Sequence, residues 1–194
     1  VLEVLFPPDG HLRKEQTEWL EKVVRIGDPN DRRGLIFLSH HPIISGYRNA
    51  YVRPARQIAE LLGDAQRPVI WFWGHEHRLI GYRLQEVTEG LQMYGRCVGI
   101  GGMPVELDLP DRREDQDAIL FYDRRVRKKV GRHAIGYNGF VKLTFVEEEV
   151  KATYQDIDGN IVLEEAWKTD RENGSLSWQL LSHSPDLENY INIR

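Results

Sequence analysis

Two short stretches carry residue types that could do chemistry. Leu38-Ser39-His40-His41-Pro42 and Trp71-Phe72-Trp73-Gly74-His75-Glu76-His77-Arg78 each run apolar and then stop at histidines. Imidazole is the commonest protein metal ligand. A His-x-His pair in extended chain turns both rings to one side, because strand side chains alternate with period two. His75 and His77 are therefore expected to bind together, with Gly74 sparing a side chain where the backbone leaves its strand. The elements that must position these groups are the runs before them, Leu35-Ile36-Phe37-Leu38 and Val69-Ile70-Trp71-Phe72-Trp73. Continuous apolar runs of this length read as strands buried on both faces. Both histidine groups then lie at the carboxyl ends of strands, the edge of an α/β sheet where ligands bind. The two groups can meet in space although they are far apart in sequence.

Composition narrows the classes. A chain of 194 residues with five Trp, eight Tyr and six Phe is long and apolar enough for one domain with a core, and no Pro/Gly/Ser-rich linker divides it. A net charge of -4 gives no field that would attract nucleic acid or an anionic membrane surface. No run approaches the length of a membrane span and no export signal is legible. One cysteine, Cys97, permits neither an internal disulfide nor a thiolate metal cage, which suits a reducing compartment. Cytoplasm is the expected location. The opening Leu2-Glu3-Val4-Leu5-Phe6 resembles the core of a viral-protease tag site, but Pro7 stands where a glutamine belongs, so it reads as native strand.

Residues 12–26 place Leu12, Gln16, Trp19-Leu20 and Val23-Val24 at helical spacing, after the turn chemistry of Pro7-Pro8-Asp9-Gly10. Pro54 opens a second amphipathic helix that Gly63 closes. Residues 1–77 thus read as an α/β part. Residues 78–194 read as mainly β, with strands over 79–84, 91–100, 118–122, 140–146, 150–156 and 161–167. Asp158-Gly159 is a hairpin cue in which both turn residues accept positive φ. A calcium loop at Asp156-x-Asp158-Gly159 is disfavoured, because the glycine is misplaced and no glutamate completes the set. The charged segment 111–117 and the basic run Arg124-Arg125-Val126-Arg127-Lys128-Lys129 read as solvated loop or hairpin edge.

The paired spellings His40-His41-Pro42 and Gly74-His75-Glu76-His77 resemble the last two motifs of the calcineurin-like metallophosphoesterases. Gln16-x-x-Trp19-Leu20, Arg96-Cys97-Val98-Gly99-Ile100-Gly101-Gly102, the strand at Gly139-Phe140 and the hairpin around Gly159 resemble flanking parts of that family's domain. The resemblance covers most of the chain and the carboxyl-terminal half of a usual domain. It implies an α/β fold, half of a four-layer αββα sandwich with mixed sheets and a largely antiparallel second half, as one partial domain over 1–194. It implies that His40 and His75 bind one metal and His77 another, within a pair of divalent or transition-metal ions (Mn, Fe or Zn). It also implies hydrolysis of a phosphate mono- or diester by a metal-bridging hydroxide. His41 is the less expected ligand, with a packing role first and a supporting or substrate contact second. Arg48, Arg53 and Arg78 are candidates to touch a phosphate.

The earlier motifs of the family are not legible. Asp9-Gly10-His11 and Gly27-Asp28-Pro29-Asn30-Asp31 match two of their spellings, but the first sits in a turn entering a helix and the second follows a helix where a strand is needed. Both read as coincidences. The chain is then expected to hold one metal or none by itself, to be poorly active alone, and to need an amino-terminal half or a second chain to complete the site. Two other readings stay open: a mononuclear zinc hydrolase using His40, His75 and His77, and a non-catalytic scaffold of the same fold. The substrate would be set by residues 42–53 and 101–117, which carry no recognisable code.

Overall fold

Five consecutive buried residues, Val69–Trp73, form strand β2 at the middle of the molecule. Their alternation divides them between two cores. Val69, Trp71 and Trp73 face one, while Ile70 and Phe72 face the other. A strand with apolar side chains on both faces is stable only when layers cover both, and this is what the computed structural model shows over residues 10–47, 50–110 and 116–190. Helices cover one face of a five-stranded sheet, and a four-stranded sheet covers the other. The fold is α/β, with one mixed and one antiparallel sheet.

The five-stranded sheet has the order β1-β2-β4-β3-β5. β1 (Leu35–Ser39) and β4 (Leu91–Val98) flank β2 in parallel, with Leu35 opposite Val69 and Val69 opposite Met93. β3 (Leu79–Thr88) runs antiparallel to β4, and β5 (Ile119–Tyr122) antiparallel to β3. β6 (Lys128–Val130) and β7 (His133–Ile135) make an exposed hairpin from the basic run. The second sheet is β8 (Gly139–Val146), β9 (Glu149–Asp156), β10 (Ile161–Thr169) and β11 (Leu176–His183), in the order β11-β10-β9-β8. A short 3-10 helix, Pro185–Tyr190, follows.

Several expectations are corrected. β1 is an edge strand rather than a doubly buried one: Leu35 and Phe37 are buried, but Ile36 and Leu38 are only partly covered. The helix expected over 12–26 is α1 (Lys14–Trp19) followed by a π-helical turn, Leu20–Val24, which ends with Arg25 in the left-handed region at φ 60°. The wider turn carries Leu20 and Ile26 into the core and leaves Trp19 and Val23, expected on the packed face, exposed. α2 (Arg53–Leu62) behaves as read, with Pro54 in its first turn and Gly63 at φ 50° receiving the chain. At the β9–β10 hairpin only Gly159 has positive φ. That turn is instead organised by the Asp156 carboxylate, which accepts from the backbone of Asp158 and Asn160. β11 is a strand the periodicity reading passed over. The expected strand 1–6 and the residues 111–115 lie outside the described residues. Among the described residues, no helix is long and apolar enough to cross a membrane.

One charged pair crosses between the sheets. Arg96 on β4 and Glu165 on β10 are fully buried and joined by two bonds of 2.7 Å. Tyr154 and Trp178 each donate to Glu165 at 2.5 Å, while Arg96 also donates to the carbonyls of Tyr82 and Gly95. A buried charge is tolerated when its hydrogen-bonding capacity is met in this way.

Candidate metal centre

β1 and β2 end side by side at Ser39 and Trp73, so the turns that follow them start as neighbours. The main chain then ties them together. The His40 carbonyl accepts from Gly74 N at 3.2 Å and from His75 N at 2.8 Å. Trp71 Nε1 donates to Ser39 Oγ at 3.0 Å, and Ser39 Oγ donates to the His41 carbonyl at 2.9 Å. The second histidine turn is thereby hung on the first.

The result is a cluster of three imidazoles. His75 Nδ1 lies 3.0 Å from His40 Nε2, and one ring nitrogen each from His40, His41 and His75 falls within 4.8 Å of the others. The three rings stand about one another at centroid distances of 5.0 Å. His40 is exposed, whereas His41 and His75 are half-buried. Metal–nitrogen bonds of about 2.0–2.1 Å at tetrahedral angles put neighbouring donors about 3.3–3.4 Å apart, so the His40 and His75 nitrogens, at 3.0 Å, need to part by only a few tenths of an ångström to share an ion. The donor set fits a borderline transition metal such as zinc.

Not every expected residue joins. His77 is half-buried and is not in the converging set. The extended geometry that would align it with His75 is replaced by a bend, in which Arg78 N donates to the Glu76 carbonyl at 2.8 Å. His41, ranked below His77 on sequence grounds, is in the set. Arg78 is buried and held by Glu106 at 2.5 Å, Asp108 at 3.2 Å and the Tyr122 hydroxyl, with its guanidinium 3.8 Å from the centre of the Tyr47 ring. It is committed to these partners rather than presented to a phosphate. Arg53 is exposed at the start of α2, and Arg48 lies outside the described residues.

The two coincidental spellings separate. Asp28 bonds to Arg25 in the loop that enters β1, where Asp31 joins Arg67 just before β2. That is the amino-terminal edge of the sheet, away from the histidines. Asp9 lies outside the described residues, but Gly10 packs on Tyr51, whose ring is 4.4 Å from that of His41. Gly10 thus lies one ring away from His41, although His11 is not one of the three converging residues.

The glycine required by the site is not the one expected. A Cβ on Gly74 would meet nothing, whereas one on Gly99 would collide with the carbonyl oxygens of Glu76 and Gly74. Gly99 follows β4 and lets the His75–His77 turn lie directly on its backbone. The Cys97 thiol sits beneath, 3.4 Å from the Glu76 carbonyl, and burial followed by the nearby Glu76 charge pushes its pKa up to about 12. A separate cavity of about 520 Å³ opens at the amino-terminal strand ends, against Gly34, Ile36, Ile70, Phe145, Thr169 and Leu176, and holds none of the histidines.

No protein-family model matches the chain, and no curated protein matches it. Among solved structures it resembles the one described as "GAP50 the anchor in the inner membrane complex of Plasmodium", with a TM-score of 0.51 and 11% identity. The match covers 84% of this chain and 44% of that one. At this identity the likeness is one of fold, and the chain spans less than half the length of that structure.

Proposed function

We propose that this chain carries the histidine half of a binuclear metal-dependent phosphoesterase of the calcineurin-like type, within a four-layer αββα sandwich. The supporting observation is the 3.0 Å approach of His75 Nδ1 to His40 Nε2 at the carboxyl ends of two adjacent parallel strands. In this reading His40 and His75 hold one ion, His77 serves a second, and Arg53, exposed at the start of α2, contacts a phosphate of a small phosphoester. The ions, when bound, would supply an activated water and neutralise charge developing on phosphorus. The described cluster contains no carboxylate, and in this reading the remaining ligands are supplied by groups outside it.

The direct test is metal binding by equilibrium dialysis with Zn²⁺ or Mn²⁺, followed by elemental analysis. We expect weak binding of about one ion per chain, lost in His40→Ala and His75→Ala. Binding that is indifferent to both substitutions would overturn the reading. A second reading is favoured by the convergence of His41: one ion held by His40, His41 and His75, with an open fourth position. A single tightly held ion that disappears in His41→Ala and survives His77→Ala would select it.

A further inference from the structure

Glu76 stands between His75 and His77, yet it is only 1% exposed while both neighbours reach the surface. An acid placed among metal-binding histidines would ordinarily be suspected of ligating or of taking a proton. Its carboxylate points the other way. Ser45 Oγ donates to Glu76 Oε1, and Trp73 Nε1 donates to Oε2 at 3.4 Å. Ser45 Oγ in turn accepts from Tyr47 N at 2.9 Å. Ser45 belongs to the loop that follows His41, whose Pro42 carbonyl accepts from Tyr51 N, and Tyr51 is the ring against His41. The carboxylate therefore ties the turn bearing His75 and His77 to the loop bearing His41, on the buried side of both.

We infer that Glu76 is a positioning residue: an internal clamp that sets the His75 turn against the His40–His41 turn, without touching a bound ion. The reason is additive geometry. From the exposed side the two turns share the main-chain bonds of Gly74 N and His75 N to the His40 carbonyl and the contact of His75 Nδ1 with His40 Nε2. The two main-chain bonds converge on one carbonyl at the exposed side. The link through Glu76 and Ser45 adds a second point of attachment on the buried side, which holds the turns in the relative position that lets three imidazole nitrogens converge. Groups that orient ligands from behind typically change metal affinity by about 10- to 100-fold when removed. Ser45 Oγ and Trp73 Nε1 are neutral donors, so for these two bonds a side chain of the same shape that still accepts hydrogen bonds should suffice.

The inference rests on the proposed metal centre for its affinity prediction, but its first readout needs no metal. Amide hydrogen exchange of the chelator-treated protein should show faster exchange at Gly74 and His75 in Glu76→Ala, with the amides of β9 and β10 unchanged. Glu76→Gln should exchange like the wild type, and Ser45→Ala should fall between. The second readout is Co²⁺ binding followed by its visible absorption. Affinity should fall about tenfold or more in Glu76→Ala and stay within about threefold of wild type in Glu76→Gln. The inference is overturned if Gly74 and His75 exchange as in the wild type in Glu76→Ala, or if the acceleration is uniform over the whole chain. A loss in Glu76→Gln as large as in Glu76→Ala also overturns it, since the charge would then be the active ingredient. Should Glu76→Ala fail to fold, Ser45→Ala decides: unchanged exchange at Gly74 and His75 overturns the clamp. Co²⁺ binding that ignores His75→Ala defeats the metal centre alone and leaves the exchange result to judge the clamp.

Discussion

At the scale of single residues, the side chains near the centre divide by what each is already bonded to. His40 and His75 face each other across 3.0 Å, and together with His41 they form a cluster of imidazoles that contains no carboxylate. Protons compete with metals for imidazole nitrogens, so metal affinity should fall as pH is lowered. Dialysis at pH 8 and pH 6 measures this, and equal affinity at both would argue against imidazole ligation. Arg78 looks like a phosphate contact in sequence, yet two acids and a tyrosine hydroxyl already engage it. Cys97 makes the complementary case. Its thiol is fully buried and its pKa is pushed up to about 12, so almost no thiolate exists at neutral pH. Iodoacetamide should leave native protein unmodified over hours and label it promptly in denaturant. Prompt labelling of the native form would show that the base of the His75–His77 turn opens.

At the scale of elements, the turn after β2 is shaped by β4. Gly99→Ala should destabilise the protein by about 1–3 kcal/mol or more, because backbone rather than a movable side chain blocks the new methyl group. Gly74→Ala, with open space around it, should cost much less. Urea unfolding of the two variants gives the comparison, and a reversed order would refute it. This pair also shows what could be read in advance. The strands ending at His40-His41 and at Gly74-His75 were legible, because apolar runs that stop at polar residues report both the strand and its exposed end. The role of Gly99 was not, since its partner carbonyls lie across a strand pairing that no local pattern encodes. The placing of His77 outside the cluster depended on the bend over 75–78, which period-two reasoning assumes away. The π turn was hidden for a similar reason, because one extra residue in a helix leaves the apolar count unchanged. β11 was within reach: Leu176, Trp178 and Leu180 alternate with polar residues, though polar flanks and a terminal position masked the signal.

At the scale of the whole molecule, the two sheets are joined by apolar packing and by the buried pair of Arg96 and Glu165. Removing one member, as in Glu165→Ala, strands a guanidinium and should cost about 3–5 kcal/mol in denaturant unfolding. A loss below about 1 kcal/mol would mean that water reaches the site. Acid should act through two carboxylates. The Asp31 carboxyl is held below its usual range mainly by the Arg33 side chain. Asp156 is also lowered, because bonds from Asn160 and Arg125 outweigh the upward push of its burial. Both pKa values are lower in the folded chain, so the stability they contribute is present above the ordinary carboxylate value of about 4 and disappears as pH falls through the lower folded values. The urea midpoint should therefore hold between about pH 7 and pH 5 and drop below about pH 4, less steeply in Asp31→Asn. An unchanged slope in that variant would remove Asp31 from the account. A different consequence follows from the His40 carbonyl, which carries the second histidine turn through two main-chain bonds. No imidazole is needed to make those bonds. A descendant of this chain could exchange all three histidines for other residues and still inherit the same pair of turns. The shape of this edge of the sheet is thus heritable apart from the side chains it displays.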